Sequence, residues 1–181
     1  MIEHFIPFRF KVTLFAADAA APTAQATLAA AAGRTSNVLC AGAFSEVSGL
    51  ELTMEPKTLQ EGGRNWGEIQ LPGRTKFSTV ILKRGVTTVN DLWAWFDVVS
   101  RQANYDYRLV GVIEVQGNAD PAQPDASPPV PPRPRTIMKW TLLNALPIKF
   151  KGPDLSATAN QVAIEELHLV HEGLELQRPV P

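Results

Sequence analysis

A chain of 181 residues in which 45% are hydrophobic and 19% are charged has the composition of a folded globular domain rather than of a disordered segment. Its 17 lysines and arginines are balanced by 18 aspartates and glutamates, and the formal net charge of −1 excludes a strongly basic nucleic-acid-binding protein. The one cysteine, Cys40, excludes an intrachain disulfide and a metal site built on paired cysteines.

The amino-terminal sequence does not have the pattern of a targeting segment. It reads MIEHFIPFRFKV, which mixes charged and aromatic residues and lacks the continuous apolar core of a signal peptide. The alanine-rich stretch from Ala16 to Ala32 is interrupted by polar residues and is too short to span a bilayer. We therefore expect synthesis in the cytoplasm without a signal peptide, and no stable membrane insertion.

The first predicted strand has the period-two alternation of a sheet with one buried face. Its apolar residues are Phe8, Phe10, Val12 and Leu14, and the residues between them are Arg9, Lys11 and Thr13. The apolar set is expected to face the core.

The next two predicted strands flank a hairpin. Alternation runs from Leu50 to Glu55, and a β-branched, apolar run extends from Lys76 to Lys83. Between them, the glycines of Glu61–Gly63 predict a hairpin tip, because glycine adopts the positive φ angles of tight turns. The spacing of these glycines does not match a phosphate-binding loop.

One segment, from about Asn90 to Gln102, is predicted to be helical. Leu92, Phe96 and Val99 recur at helical spacing, Asn90 is a suitable N-cap, and Asp91 favours the positive end of the helix dipole. Two tryptophans, Trp93 and Trp95, widen the apolar stripe, and we expect them to pack in the core.

The later strand predictions are Tyr105–Gln116, Ile137–Leu143, Ile148 with Phe150, and Val162–Leu176. Two of them carry apolar residues on both faces. In the first these are Val110, Val112, Ile113 and Val115, and in the second they are Val162, Ile164, Leu167, Leu169 and Val170. A strand that is apolar on both faces must be covered on both, which indicates a bound helix or a neighbouring subunit.

Two segments are predicted to be loops inserted into a single domain that spans residues 1–181. Ala16–Asn37 is alanine-rich, with a short helix expected around Gln25–Ala32, and Gly117–Arg135 contains seven of the 15 prolines. The proline-rich loop is expected to be extended and outside the strand ladder. It is interpreted as a solvated excursion between two strands or as a ligand of an adaptor domain.

The sequence shows no pattern that predicts catalysis, a cofactor or a metal. His168 and His171 lie close to glutamates, but residues three apart on a strand point to opposite faces, so the two imidazoles are not expected to share a metal ion. No nucleophile elbow or convincing cysteine–histidine pair is present. We expect a protein that is not an enzyme.

Three blocks, in order along the chain, resemble the inner tail tube proteins of contractile phage tails and extracellular contractile injection systems. They are AGAFSEVSGLELTMEPKTLQEGG from Ala41 to Gly63, LPGRTKFSTVILKRG from Leu71 to Gly85, and KWTLLNALPIKFKGPDLSATANQVAIEELHLVHEGL from Lys139 to Leu174. Both predicted loops look longer than the corresponding connections of that family.

The resemblance implies a mainly β fold, namely a tail-tube-type β-barrel or sandwich of antiparallel strands with one flanking α-helix and an extended hairpin arm. It further implies a structural subunit, made in the bacterial cytoplasm, whose homo-hexameric rings stack into a hollow conduit that sheath contraction drives through a target envelope. The expected partners are other copies, a sheath protein, baseplate or tube-initiator proteins, terminator or cap proteins, and protein effector or DNA cargo in the lumen. Arg9, Lys11 and Thr13 are then expected at the lumen or an interface.

Three alternatives remain open at the level of sequence: a tube-initiator ring at the baseplate, a haemolysin-coregulated tube of type VI secretion, and a monomeric β-barrel that binds a small ligand. If the chain is a tube subunit, the hairpin arm and the two-faced strands are its expected contacts between subunits or rings. The residues predicted for these contacts are Glu55, Lys57, Glu61, Gly62, Gly63, Arg64, Val112 and Leu169.

Overall fold

The computed structural model describes residues 9–16, 38–42, 44–119, 134–155, 158 and 162–178. Within these residues the chain forms twelve strands and one helix. The elements are β1 (Phe10–Ala16), β2 (Val38–Gly42), β3 (Glu46–Ser48), β4 (Leu52–Met54), β5 (Lys57–Leu59), β6 (Ile69–Leu71), β7 (Thr75–Phe77), β8 (Val80–Gly85), α1 (Asp91–Ser100), β9 (Leu109–Ala119), β10 (Pro134–Lys151), β11 (Ile164–Val170) and β12 (Gly173–Gln177). The helix expected around Gln25–Ala32 lies outside the described residues, as do the interiors of both predicted loops.

The strands confirm a mainly β, antiparallel fold in which eight strands form one continuous sheet. Their order is β2-β1-β9-β10-β11-β8-β3, and β12 also pairs with β10. The long strand β10 joins two halves, because its first part pairs with β9 and β12 and its last part pairs with β11. We call β2-β1-β9-β10-β12 the first half-sheet and the end of β10 with β11, β8 and β3 the second half-sheet.

The bend between the two half-sheets is made at Asn144. This residue has a φ of 52°, and the register of β10 against β9 shifts between Leu142 and Ala145. The Asn144 side chain donates a 2.9 Å hydrogen bond to the carboxylate of Glu172, which also accepts one of 2.7 Å from Arg108. Asparagine tolerates the left-handed region, and the carboxylate fixes the bent segment to the β11–β12 connection.

The core lies between the inner faces of the two half-sheets and α1. Val12 and Leu14 of β1 are fully buried there, which confirms the predicted inward face of that strand; Phe8 lies outside the described residues. The fully buried apolar side chains from other elements include Val80, Leu82, Leu92, Trp95, Leu109, Leu142, Leu167 and Leu169. Alternation along β8 and β11 therefore directs one face of each strand inward.

Helix α1 confirms the predicted helix, but only one of its two tryptophans lies in the core, and the start of the helix differs from the expectation. Trp95 is fully buried and donates a 3.4 Å hydrogen bond from Nε1 to the carbonyl oxygen of Tyr107, whereas Trp93 is 41% exposed and packs against Phe96 and Phe150. The prediction that the Asn90 side chain caps the helix is wrong, since that side chain makes no capping hydrogen bond.

A buried ionic cluster holds the start of α1. The guanidinium of Arg84 binds the carboxylates of Asp91 and Glu165 and donates a 3.3 Å hydrogen bond to the carbonyl oxygen of Val89. Burial opposes the charge of Arg84, but the hydrogen bonds to the two carboxylates outweigh it and raise the pKa of this group. Because the cluster joins β8, β11 and α1, it fixes the helix on the second half-sheet.

Several predicted strand boundaries are corrected. The run Lys76–Lys83 is divided between β7 and β8, and Val162–Leu176 is divided between β11 and β12. Conversely, Ile137–Leu143 and the strand at Ile148 are parts of the single strand β10. The proline-rich segment does not lie wholly outside the ladder, because its two ends pair through Pro134 and Ala119.

Candidate assembly surfaces

The predicted hairpin arm is present and extends from the second half-sheet. Two short ribbons form it, with β4 paired to β7 and β5 paired to β6. Every residue from 51 to 68 is exposed. An arm of this kind gains little from burial within its own chain, so its conformation depends on backbone pairing and turn geometry.

The tip of the arm is a glycine-rich turn. The backbone N–H of Arg64 donates a 3.2 Å hydrogen bond to the carbonyl oxygen of Glu61, and Gly63 between them has a φ of 89°. This geometry confirms the predicted turn at Glu61–Gly63 and explains the glycine, because a positive φ at the third turn position disfavours residues with a Cβ atom. Gly67 has a φ of 100° on the returning side.

The ribbon nearest the body has one apolar and one polar face. Cross-strand partners share a face, so Leu52 and Phe77 lie with Met54 on the apolar side. The polar side carries Thr53 opposite Lys76, whose ammonium group pairs with Glu55. Such amphipathic patterning in a solvent-exposed ribbon is typical of a surface that becomes covered in an assembly.

The outer ribbon continues this pattern and ends at an exposed aromatic residue. Leu59 pairs with Ile69, and Leu71 pairs with Lys57 on the same face. Leu59 is 50% exposed and Leu71 is 42% exposed, while Trp66 beyond the turn is 95% exposed. Sequence reasoning predicted the charged tip residues but missed Trp66, for which a large aromatic residue between two glycine turns was the available signal.

Close backbone approaches fix the arm at its base and at its middle. A Cβ atom on Gly49 would lie 2.0 Å from the carbonyl oxygen of Thr79, and one on Gly73 would lie 1.7 Å from that of Glu55. Both distances are too short for any side chain, so these crossings require glycine. At the base, the ring of Phe77 contacts His171 with 5.1 Å between centroids.

His171 is buried between the arm and the corner of the second half-sheet. Its Nδ1 lies 3.0 Å from the carbonyl oxygen of Gly173, to which it donates a hydrogen bond. Burial lowers the pKa of His171 below its ordinary value, although hydrogen bonding to the backbone of Gly173 and Ser78 opposes the shift. His168 lies instead within β11, opposite Lys149 and Ile81.

The outward face of the first half-sheet carries polar and apolar rows. The register places Lys11, Glu114 and Lys139 in one row, with Thr13, Val112 and Thr141 in the next. The row after that contains Phe15 paired with Val110. Val112 is only 9% exposed although it does not belong to the core cluster. One end of this face therefore carries charges of both signs, and the other end is apolar.

In the described part of the chain, the first half-sheet ends at β2 on one side and at β12 on the other. Strand β2 pairs there with β1, and strand β12 pairs with β10. Edge strands on opposite sides of one sheet are templates for pairing with further copies.

The predicted contact residues fall in three places. Those from the arm are all exposed, namely Glu55, Lys57, Glu61, Gly62, Gly63 and Arg64. Val112 lies on the outward face of the first half-sheet. Leu169 is fully buried in the chain's own core, so its side chain is out of reach of another subunit and its role is in folding. Within β11 the apolar pattern on the second face comes from Ile164 and Val170, which are 39% and 36% exposed.

Two further findings concern other kinds of site. In the described part of the chain, no group of three or more histidine, cysteine, aspartate or glutamate side chains is placed to hold a metal ion. The helix that the structure describes is not long and apolar enough to span a bilayer.

Comparison with known proteins gives a family and a fold. The model of the family "T4-like virus tail tube protein gp19" matches residues 7–175. A chain of the anti-feeding prophage baseplate superposes with a TM-score of 0.72 and 25% identity over 98% of both chains. A chain of the PVC extracellular contractile injection system, from its extended sheath–tube complex, superposes with a TM-score of 0.67 and 20% identity over 98% of this chain and 95% of that chain. A chain of the PVC sheath/tube terminator has a TM-score of 0.67 and 22% identity over 98% of this chain and 99% of that chain. No curated protein matches.

Proposed function

The chain belongs to the T4-like tail tube protein family and is a structural tube subunit; from this premise we propose that six copies form a ring and that rings stack into the inner tube of a contractile particle. The observation that carries the ring proposal is that β2 and β12 are the outermost strands on opposite sides of the first half-sheet. A closed ring gives every copy the same two contacts, since the β12 edge of one copy meets the β2 edge of the next.

In such a ring the outward face of the first half-sheet forms the continuous inner wall. Its row of Lys11, Glu114 and Lys139 suits a wall that cargo passes without adhering, because charges of both signs leave no single-sign surface there. Arg9 and Thr13 lie on the same strand and share the predicted lumen-facing role. The cargo is a protein effector or DNA.

The hairpin arm is proposed to join adjacent rings. Its amphipathic ribbons expose Leu52, Met54 and Trp66, and the charged groups of Lys57, Glu61 and Arg64 set the register of the contact. Gly62 and Gly63 provide the turn that presents these groups. The arm thus supplies the contact between rings, whereas the edges of the first half-sheet supply the contact between neighbours within a ring.

The remaining partners follow from the setting of the related chains. Those chains come from a baseplate, a sheath–tube complex and a sheath/tube terminator. We propose that this chain likewise meets a sheath on its outside, a baseplate or initiator at one end and a terminator or cap at the other. It acts mechanically, as one domain without enzymatic activity, within a phage tail or tail-like particle.

Negative-stain electron microscopy of the purified full chain tests the proposal. We expect rings, or tubes of stacked rings, together with a native mass of six chains or multiples of six. A preparation that stays monomeric and folded at high concentration would contradict it.

A tube-initiator ring is the second candidate, favoured by the match to the anti-feeding prophage baseplate chain. An initiator forms single rings that do not polymerise with themselves, whereas a main tube subunit extends its own rings. The same micrographs distinguish the two. A monomeric ligand-binding barrel is not favoured, because large side chains such as Trp95 and Leu142 fill the interior.

A further inference from the structure

The strand β8 connects two exposed surfaces at its opposite ends. The arm joins the strand at Val80, next to the end of β3, since Ser48 pairs with Ile81. The other end is Gly85, which pairs with Ile164 at the start of β11. Six residues of extended chain separate these surfaces by about 20 Å.

The surface at the Gly85 end is apolar at its centre. It consists of Val86, Val162 and Ile164, which we call the end patch, and these side chains are 51%, 78% and 39% exposed. The backbone N–H of Val86 donates a 3.0 Å hydrogen bond to the carbonyl oxygen of Ala163, so the segments that carry the patch are adjacent. The patch lies at the end of the strands, where a partner that approaches along them would meet it.

A row of alternating charges borders the end patch. Lys83 pairs in register with Glu166, and Glu166 pairs with Lys151 on its other side. The arm tip also presents both signs, with Glu61 and Arg64 joined by a turn hydrogen bond. An apolar centre with neighbouring charges of both signs therefore exists on the tip and on the patch, which makes the two surfaces complementary.

The tip can bury a useful part of the area that a stable interface needs. An aromatic side chain such as Trp66 buries roughly 150–250 Å², and a standard interface needs about 800 Å² from each partner. The half-exposed Leu59 and Leu71 add to the same surface. Six such contacts in each ring act together, so each one can be weak individually.

We propose that Trp66 of one copy docks on the end patch of a second copy in the adjacent ring, with Arg64 facing Glu166. This inference rests on the proposed stacking of rings and assigns both sides of that contact. Because the two surfaces lie at opposite ends of β8, the contact is head to tail and does not close on itself. It repeats from ring to ring and builds a column of indefinite length.

A cysteine pair tests the proposal directly. The variant Asn65→Cys/Val162→Cys keeps Trp66 and changes two exposed positions, and the native Cys40 is buried. Assembled tubes of this full-length variant are oxidised and analysed on a denaturing gel without reductant. We expect covalent ladders that extend beyond six chains, because links between rings join indefinitely many copies. Each single variant should show no ladder.

A matched control pair, Tyr105→Cys/Val162→Cys, replaces an aromatic residue that is 63% exposed and lies outside the arm. No ladder is expected from it. Tubes that form normally but give no ladder with the Asn65 pair would overturn the docking proposal and leave the tube function intact. If the wild-type chain forms neither rings nor tubes, the proposed function fails and the docking proposal fails with it.

A charge exchange provides a second measurement. Arg64→Glu should lower the affinity between rings about tenfold, because two carboxylates would then face each other at the border of the contact, and should leave single rings in place. The double variant Arg64→Glu/Glu166→Arg should restore tubes. Failure of the double variant to recover any tube length would contradict the assigned register.

Discussion

Among the described residues, Arg84 combines deep burial with two carboxylate partners, and its replacement by methionine should be severely destabilising. The guanidinium side chain is 8% exposed, while Asp91 and Glu165 are 2% and 13% exposed. Arg84→Met keeps the volume but leaves both carboxylates buried without a cation. We expect a loss of about 3–5 kcal/mol in the free energy of unfolding, measured by urea denaturation of the unassembled chain.

The matched control for this variant is Arg101→Met. Arg101 forms an exposed ion pair with Asp97 one helical turn away, at 3.1 Å. Exposed pairs of this spacing contribute only about 0.3–0.5 kcal/mol. Equal losses from the two variants would show that the buried cluster does not stabilise the start of α1.

The pKa of His171 predicts how stability depends on pH. Burial lowers the pKa in the folded chain, whereas the unfolded chain binds the proton near its ordinary value of 6.5. The contribution of the neutral imidazole is therefore fully present above pH 6.5 and is lost as the pH falls from there towards the folded pKa. His171→Gln should flatten this part of the profile, measured by urea denaturation between pH 8 and pH 5. An identical slope in both proteins would count against the buried neutral state.

At the level of single residues, the sequence predicted positions on regular strands better than positions at element ends. Alternation correctly placed Val12 and Leu14 in the core, because a strand sends every second side chain to the same face. It did not identify Asp91 as the buried partner of Arg84, since the two meet only after β8 and α1 pack together. Trp66 was missed for a different reason, because it lies in a connection between strands, where no periodic pattern indicates the role of a side chain.

The arm, as an element, depends on glycine at its crossings, and Gly73→Ala should displace it. The new Cβ atom would lie 1.7 Å from the carbonyl oxygen of Glu55, so the outgoing and returning segments of the arm must move apart at this point. We expect the body to keep its circular dichroism spectrum while tubes are lost, with a strain of roughly 1–3 kcal/mol. Hydrogen exchange should increase in β4 to β7 and remain unchanged in β9 and β10.

Gly152→Ala is the control outside the arm. A Cβ atom at Gly152 has no neighbour within 4 Å. This variant should therefore assemble like the wild type. Loss of tubes with Gly152→Ala but not with Gly73→Ala would exclude the crossing as the feature that holds the arm.

The elements themselves were mostly predictable, but the points at which they bend were not. The run from Lys76 to Lys83 is continuous in β propensity, and its division at Ser78 and Thr79 depends on the approach of Gly49 to the backbone of Thr79. Likewise, the alternation around Leu143 does not indicate the bend at Asn144, which requires Glu172 from a distant segment. Periodicity records which face is buried, whereas a bend depends on contacts between segments.

For the molecule as a whole, the two half-sheets give the same kind of substitution different consequences. Leu169→Asp buries a charge in the core without a partner and should prevent folding, with a loss of at least about 4 kcal/mol. Val112→Asp places the carboxylate on the outward face between Thr13 and Thr141, whose hydroxyl groups can donate hydrogen bonds to it, and should leave a folded chain. Circular dichroism and size-exclusion chromatography distinguish these outcomes. A folded Leu169→Asp chain would contradict the assigned core.

The proposed ring closes through the edge of β12 that faces away from β10. Proline substitutions can test this edge independently of the edge that pairs with β10. In an antiparallel ladder, successive N–H groups point alternately towards the paired strand and away from it. Of Glu175 and Leu176, one therefore directs its N–H towards β10 and the other directs its N–H towards the opposite edge. Proline removes this donor at either position.

The two substitutions should therefore differ in what they damage. Proline at the inward-pointing position should lower the free energy of unfolding of the monomer by about 1–3 kcal/mol, because a carbonyl group of β10 loses its donor. Proline at the edge-pointing position should change monomer stability little and abolish rings, since the donor it removes is used only between copies. Urea denaturation and negative-stain microscopy measure the two effects independently. Rings that persist in both variants would mean that copies meet through another surface, because a continuous inner wall requires this edge to be paired.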